Sequence, residues 1–113
     1  MKRDMELIRK ILLTIEESDK TEGEIPLKFD GYSDEQVSYH VKILHDHGLI
    51  NAINASSLDG LNWMTTGLTW AGHDYIEAIK DEKRWQKVKE WVMNNGKILT
   101  LETIKQAVQA LFL

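Results

Sequence analysis

Apolar residues recur at helical spacing in several separate blocks of this chain, and the residues between the blocks mark where each one starts and stops. Met5, Ile8, Ile11, Leu12 and Ile15 share one face behind Asp4, a residue type that caps helix N-termini, while Glu6, Arg9, Lys10 and Glu16 take the other side. This pattern predicts a first helix over Met5–Glu17 with one buried stripe. Residues 18–32 break the period. Gly23, Pro26 and the Asp30-Gly31 turn pair leave room for a short extended piece over residues 24–29, not for a helix. An ordinary helix-turn-helix carries its supporting helix at this point, so a loop and strand are expected to replace it.

Residues 33–50 are the best specified stretch. Ser33 is placed to cap a helix and Gln36, three residues on, completes a capping-box pattern; Asp34 and Glu35 lie at the positive end of the helix dipole. Val37, Val41 and Leu44 share the buried face, with Leu44 expected deep in the core, and Gly48 supplies a left-handed stop before Leu49 and Ile50. On the opposite face the spacing puts Glu35, Ser38, Tyr39, Lys42 and Asp46, the side chains that would meet DNA if this helix reads it. Two β-like segments follow, residues 49–53 and 61–68, joined through the hairpin signal Asp59-Gly60 into a wing.

Thr69 is then a helix cap ahead of the inward-facing Tyr75, Ile76 and Ile79. A further helical pattern begins near Asp81, presents Trp85, Val88, Trp91 and Val92, and ends at Asn94-Asn95-Gly96; the period alone leaves open whether these are two helices or one kinked helix. Thr100 caps a last helix with Leu101, Ile104, Val108 and Leu111 at three-and-four spacing. The expected fold is therefore mainly α with a small β-hairpin wing (α+β), winged helix-turn-helix-like. Residues 1–80 would form the winged-helix domain and residues 81–113 a C-terminal helical extension packed on it or on a dimer mate.

Length and composition fit that picture: 113 residues at 42% hydrophobic content suit a single core. The absence of cysteine excludes disulfides, thiolate nucleophiles and Cys-rich zinc sites. Charges interrupt the apolar residues of MKRDMELIRKI, which matches neither a signal peptide nor a membrane span, so a cytoplasmic, non-membrane protein is expected. Charge changes the functional picture more. The net charge of -4 offers polyanions no global attraction, and there is no Lys or Arg between Lys42 and Lys80. A wing without cations lacks the phosphate contacts that carry much of duplex affinity, and Glu35, Asp46 and Asp59 would repel a duplex. Basic residues gather instead at Lys2, Arg3, Arg9 and Lys10, and at Lys80, Lys83, Arg84 and Lys87 on one helical face. That face is either a macromolecule-binding stripe or a solvated surface diluted by Asp81, Glu82 and Glu90.

Candidate chemistry adds little. His40, His45 and His47 lie on or near one helix, but the last two diverge by about 200° around it, and no Cys or carboxylate completes a tetrahedral set. His73 and Glu77 form an ordinary i,i+4 surface pair. Ser56 and Ser57 sit in a hairpin loop without a nucleophile-elbow pattern, and no glycine-rich phosphate loop is present. The expectation is a non-enzyme with no cofactor and no metal. Trp63, Trp70, Trp85 and Trp91 are expected in the core. Leu101, Ile104, Val108 and Leu111 make an a/d-like stripe that serves either a homodimer seam or docking within the chain.

The spacing of Leu49-Ile50, Leu68-Thr69 and Gly72 resembles bacterial MarR- and PadR-like regulators. Over nearly the whole chain, MKRDMELIRKILL, GYSDEQVSYHVKIL and LTWAGHDYIEAIKDEKRWQKVK resemble a bacterial and prophage family, domain of unknown function 2513; the small YjcQ-type winged-helix family is similar through its wing and Trp-containing helix. These resemblances imply a winged-helix fold and carry over no catalytic or ligand residues. The function expected is that of a winged-helix binding protein of the transcription-regulator type, dimeric, binding a macromolecule through the Ser33 helix, the wing or the basic face near Lys83 and Arg84, with double-stranded DNA and a protein as the candidate partners. The alternative is a protein-interaction module that keeps the fold without binding DNA.

Overall fold

Five helices and one antiparallel hairpin follow one another in the computed structural model, which describes residues 1–20 and 22–113. The order is α1 (Met5–Glu17), α2 (Asp34–Asp46), β1 (Ile50–Asn54), β2 (Trp63–Leu68), α3 (Trp70–Ile79), α4 (Glu82–Asn94) and α5 (Leu101–Phe112). The protein is thus mainly α with a small β-hairpin, a winged-helix-like architecture. No described helix is long and apolar enough to cross a membrane.

The helix starts are set by local hydrogen bonds. Asp4 Oδ1 accepts from the Glu6 and Leu7 N–H groups at 2.9 and 3.2 Å. Ser33 and Gln36 form a reciprocal capping box, as do Thr100 and Thr103, so orphan N–H groups are satisfied on the spot. Gly48 and Gly96 adopt φ of 73° and 66°, the left-handed turn that lets Leu49 and Lys97 donate back to the Leu44 and Val92 carbonyls. The region between Ile79 and Glu82 is a break between two helices. Asp81 is extended and its side chain accepts from the Arg84 N–H. Arg9 of α1 reaches across to donate to the Ile79 and Lys80 carbonyls at 3.0 and 2.8 Å, which satisfies the end of α3.

Residues 24–29 contain no helix, as expected, and no strand either. Buried Ile25 donates its N–H to the Thr65 carbonyl of β2 at 2.9 Å, but Pro26 follows and has no N–H with which to extend a ladder. The hairpin pairs Ile50 with Leu68 and Asn54 with Trp63, with a bulge between Asn51 and Ala52. A Ser57–Gly60 bridge closes its tip.

One core joins α1, α2 and the C-terminal helices: Leu7, Ile11, Leu12, Val41, Leu44 and Ile76 have no exposed surface. Leu44 is at the depth its spacing predicts. Trp85 of α4 is also fully buried, and its indole N–H lies 3.1 and 3.2 Å from the Glu6 carboxylate oxygens. The tryptophans do not all behave alike. Trp63 and Trp91 are half-buried, and Trp70 is 87% exposed, contrary to the core expectation. Trp70 opens α3 two residues before buried Gly72, which puts the two about 200° apart around the helix.

Glu6 links this core to pH. Burial acts to raise its carboxyl, but hydrogen bonds from Lys89 and Trp85, with the charges of Lys89 and Arg9, outweigh burial and hold it below the ordinary 4.5. A carboxyl depressed in the folded state stabilises above its unfolded value, and that stabilisation is lost as pH falls through the folded value. Glu6→Gln should therefore flatten the stability profile below about pH 4.5, relative to the parent. Because Glu6 is 45% exposed, the difference should stay below about 1 kcal/mol. Urea denaturation at several pH values measures it, and parallel profiles for the two proteins would count against the ion pair.

Candidate functional site

Three surfaces carry the residues singled out from the sequence. The first is the head, made of the outward face of α2 and the hairpin wing. Glu35 is exposed there and its carboxylate lies beside the wing tip, 3.3 Å from where a Cβ on Gly60 would sit. Tyr39 is half-buried, edge-on to the His40 ring. Lys42 is bonded to Asp46 at 2.7 Å, and this bond heads the causes that hold the Asp46 carboxyl below its ordinary value. Ser38 is not on this face. It is buried at 7% exposure, and its Oγ accepts from the Trp63 N–H at 3.2 Å, because the foot of the hairpin packs against that side of α2. At the far end of the wing Leu58 is fully exposed next to Asp59, and Ile53 is 57% exposed.

The second surface is the basic stripe after α3. Its four residues do not act alike. Lys80 is taken up by Glu16 at 3.1 Å and Glu77 at 3.6 Å, and the Glu16 hydrogen bond leads the causes that raise its ammonium above the ordinary value. The Arg84 guanidinium lies 4.5 Å over the Phe112 ring. Lys83 and Lys87 are exposed and make no ion pair among the described residues. Of the first-helix cations, Arg9 is fixed by the α3 end and by Glu82 at 3.2 Å.

The third is the α5 stripe. Leu101 and Ile104 are buried inside the same chain, at 8% and 1% exposure, Val108 is half-buried, and Leu111 is 39% exposed. Between α3 and α5 runs an apolar groove of about 510 Å³, floored by Tyr75, Ile79, Ile104 and Val108. The Tyr75 hydroxyl donates to the Leu101 carbonyl at 2.9 Å, and burial raises its phenol above the ordinary range.

The histidines have structural positions. His40 is buried; its Nδ1 faces the Gln36 carbonyl at 2.7 Å and so carries the proton, which leaves Nε2 to accept from the Asp4 N–H at 2.8 Å. Tyr32 donates to the other Asp4 carboxylate oxygen at 2.7 Å, so α1, α2 and the preceding turn meet at one aspartate. Burial acts to raise the Asp4 carboxyl, but hydrogen bonds from the Tyr32 hydroxyl and the Leu7 and Glu6 N–H groups outweigh it and lower it. His47 Nδ1 bonds the Ile43 carbonyl, and the His45 ring leans on Trp63 at 5.3 Å. Spacing along the chain could not reveal this network, since Asp4 and His40 are 36 residues apart.

The Leu49-Ile50, Leu68-Thr69 and Gly72 spacing comes together at one junction. Thr69 donates its N–H to the Leu49 carbonyl and its hydroxyl to the Gly48 carbonyl, and it accepts from the Gly72 N–H. A Cβ at Gly72 would fall 1.9 Å from the Leu49 carbonyl oxygen, so only glycine lets α3 lie this close to the wing. The motif is architectural.

The profile of the family described as "Hypothetical protein (DUF2513)" matches residues 2–98, most of the chain. The chain belongs to the DUF2513 family. The resemblance read from its N-terminal, central and wing-helix segments is thereby borne out. A protein of Haemophilus influenzae, described as an uncharacterized protein, is 38% identical to this DUF2513 chain over 112 residues, covering 98% of the chain and 95% of the relative. No solved structure matches. Family membership thus adds no ligand to the geometry, and the winged-helix-like shape of this DUF2513 protein is read from its own helices and hairpin.

Proposed function

We propose that this protein is a non-enzymatic winged-helix binding module whose head, the outward face of α2 and the wing, meets a protein. The observation that carries this reading is the state of Lys42. It is the one cation on the outward face of α2, and it is bonded to Asp46 at 2.7 Å, while the wing tip offers Leu58 and Asp59. Phosphates would find no free positive charge on such a surface, and counterion release, the main source of duplex affinity, would be small. An exposed apolar tip set among carboxylates instead suits a protein surface. The regulator-type reading draws support from the winged-helix-like fold alone, and a protein-contacting head is compatible with a role beside DNA-bound partners.

Duplex binding is the second reading, favoured by Lys83 and Lys87, which are exposed on one side of α4 without ion pairs among the described residues. Fluorescence anisotropy with random and upstream duplexes separates the two. The protein-docking head predicts no duplex complex even at about 50 mM salt. A complex that forms there, weakens steeply by about 200 mM salt and disappears in Lys83→Glu/Lys87→Glu would overturn it in favour of DNA. A homodimer through α5 would have to use Val108, Leu111 and Leu113, since Leu101 and Ile104 are already buried within the chain.

A further inference from the structure

The loop before α2 leaves a slot in the head. Ile25 donates one backbone hydrogen bond to the Thr65 carbonyl, and among the described residues no second one ties residues 24–29 to β2. Where the two part, an open groove of about 430 Å³ runs between the loop and the hairpin, under the start of α2. Its lining is mixed: Ile25 and Leu27 from the loop, Leu61, Trp63 and Met64 from the hairpin and Val37 from α2 supply apolar surface, and polar groups supply about as much again. A groove between a non-helical loop and a strand is the kind of place where another extended chain docks with one apolar side chain pointing in.

Charge selects the kind of chain. Glu24 and Asp34 stand on the rim against Lys28, with the Lys20 ammonium 3.0 Å from the Glu24 carbonyl oxygen, and Glu35 and Asp59 flank the neighbouring wing tip. Over residues 19–66 there are eight acids (Asp19, Glu22, Glu24, Asp30, Asp34, Glu35, Asp46, Asp59) and three bases (Lys20, Lys28, Lys42), and Lys42 is already bonded to Asp46. The field around the slot is therefore negative, favouring a cationic segment in encounter and register.

We propose that the slot between residues 24–28 and β2 binds an extended lysine- or arginine-rich segment of a partner protein, with an apolar side chain seated against Trp63. The proposal rests on the protein-docking reading of the head and adds the place and the chemistry of the contact.

The test uses the full chain and two short fluorescent peptides, one alternating lysine and valine, the other glutamate and valine, read by anisotropy, with the amide resonances of Trp63, Met64 and Thr65 reporting the site. At about 50 mM salt the lysine peptide should bind at least about tenfold more tightly than the glutamate peptide and shift those three resonances. Glu24→Gln/Asp34→Asn should remove most of that preference, whereas Asp46→Asn, away from the slot, should keep it. No binding of the lysine peptide, equal binding of the two, or an unchanged preference in the rim variant overturns the proposal. If the glutamate peptide is preferred and shifts the same resonances, the basic partner is wrong while the protein-docking head stands. If neither peptide binds and duplex DNA shifts α2 and wing resonances, both readings fall.

Discussion

Gly72→Ala is expected to be among the most damaging single-methyl changes in the chain, costing more than about 3 kcal/mol of stability. The added Cβ would lie 1.9 Å from the Leu49 carbonyl oxygen and 3.0 Å from its carbon, both backbone atoms that cannot rotate away. The same carbonyl receives the Thr69 N–H, so moving it strains the α3 cap, and moving α3 instead displaces Ile76 and Ile79 from the core. Neither escape is cheap. Helix propensity alone would favour alanine by about 1 kcal/mol, so the sign of the result separates local from tertiary control of this position. A thermal melt should show the midpoint falling on the order of 10 °C or more; a midpoint within about 2 °C of the parent would sink the close-approach argument.

Trp85→Ala should cost about 3–5 kcal/mol. The ring is fully buried in the core that also holds Leu7, Ile8 and Ile104, and Arg9 and Lys89 lie 5.6 and 5.3 Å from its ring centre. Its removal leaves a cavity and takes away the N–H that faces Glu6. Trp85→Phe keeps a six-membered ring but loses the N–H and the rest of the indole, so it should recover part of the packing loss and none of the Glu6 contact. Denaturant unfolding of the two variants checks both statements. Equal losses would mean that the Glu6 contact, and not the packing of the ring, dominates.

The head separates features set by neighbouring residues from features set by packing. Its cap, buried face, glycine stop and wing were all legible, because each depends on residues within a few positions of one another. The charge deficit of the wing was legible by simple counting. The outward face was read less well: Glu35 and Lys42 lie as the helical period implies, but Ser38 does not, since its neighbour is Trp63, 25 residues further on. Trp70 failed for the opposite reason. A large aromatic ordinarily goes inside, yet the first turn of α3 spends its buried side on Gly72, to let the backbone of the wing approach. Within the basic clusters, Arg9 is committed to the α3 end and Lys80 to Glu16, pairings that spacing along the chain does not contain.

The sequence by itself determined the helices, their caps and stops, the hairpin and the acidic character of the head, because capping bonds, left-handed glycines and hydrophobic periodicity act over one or two turns of chain. Only the tertiary structure decided which polar groups on those helices remain available to a partner. Those choices join residues as far apart as Asp4 and His40, Arg9 and Ile79, and Glu6 and Trp85. Such pairings follow from how helices cross and which face each turns inward, a property of the whole packed core that no local pattern contains.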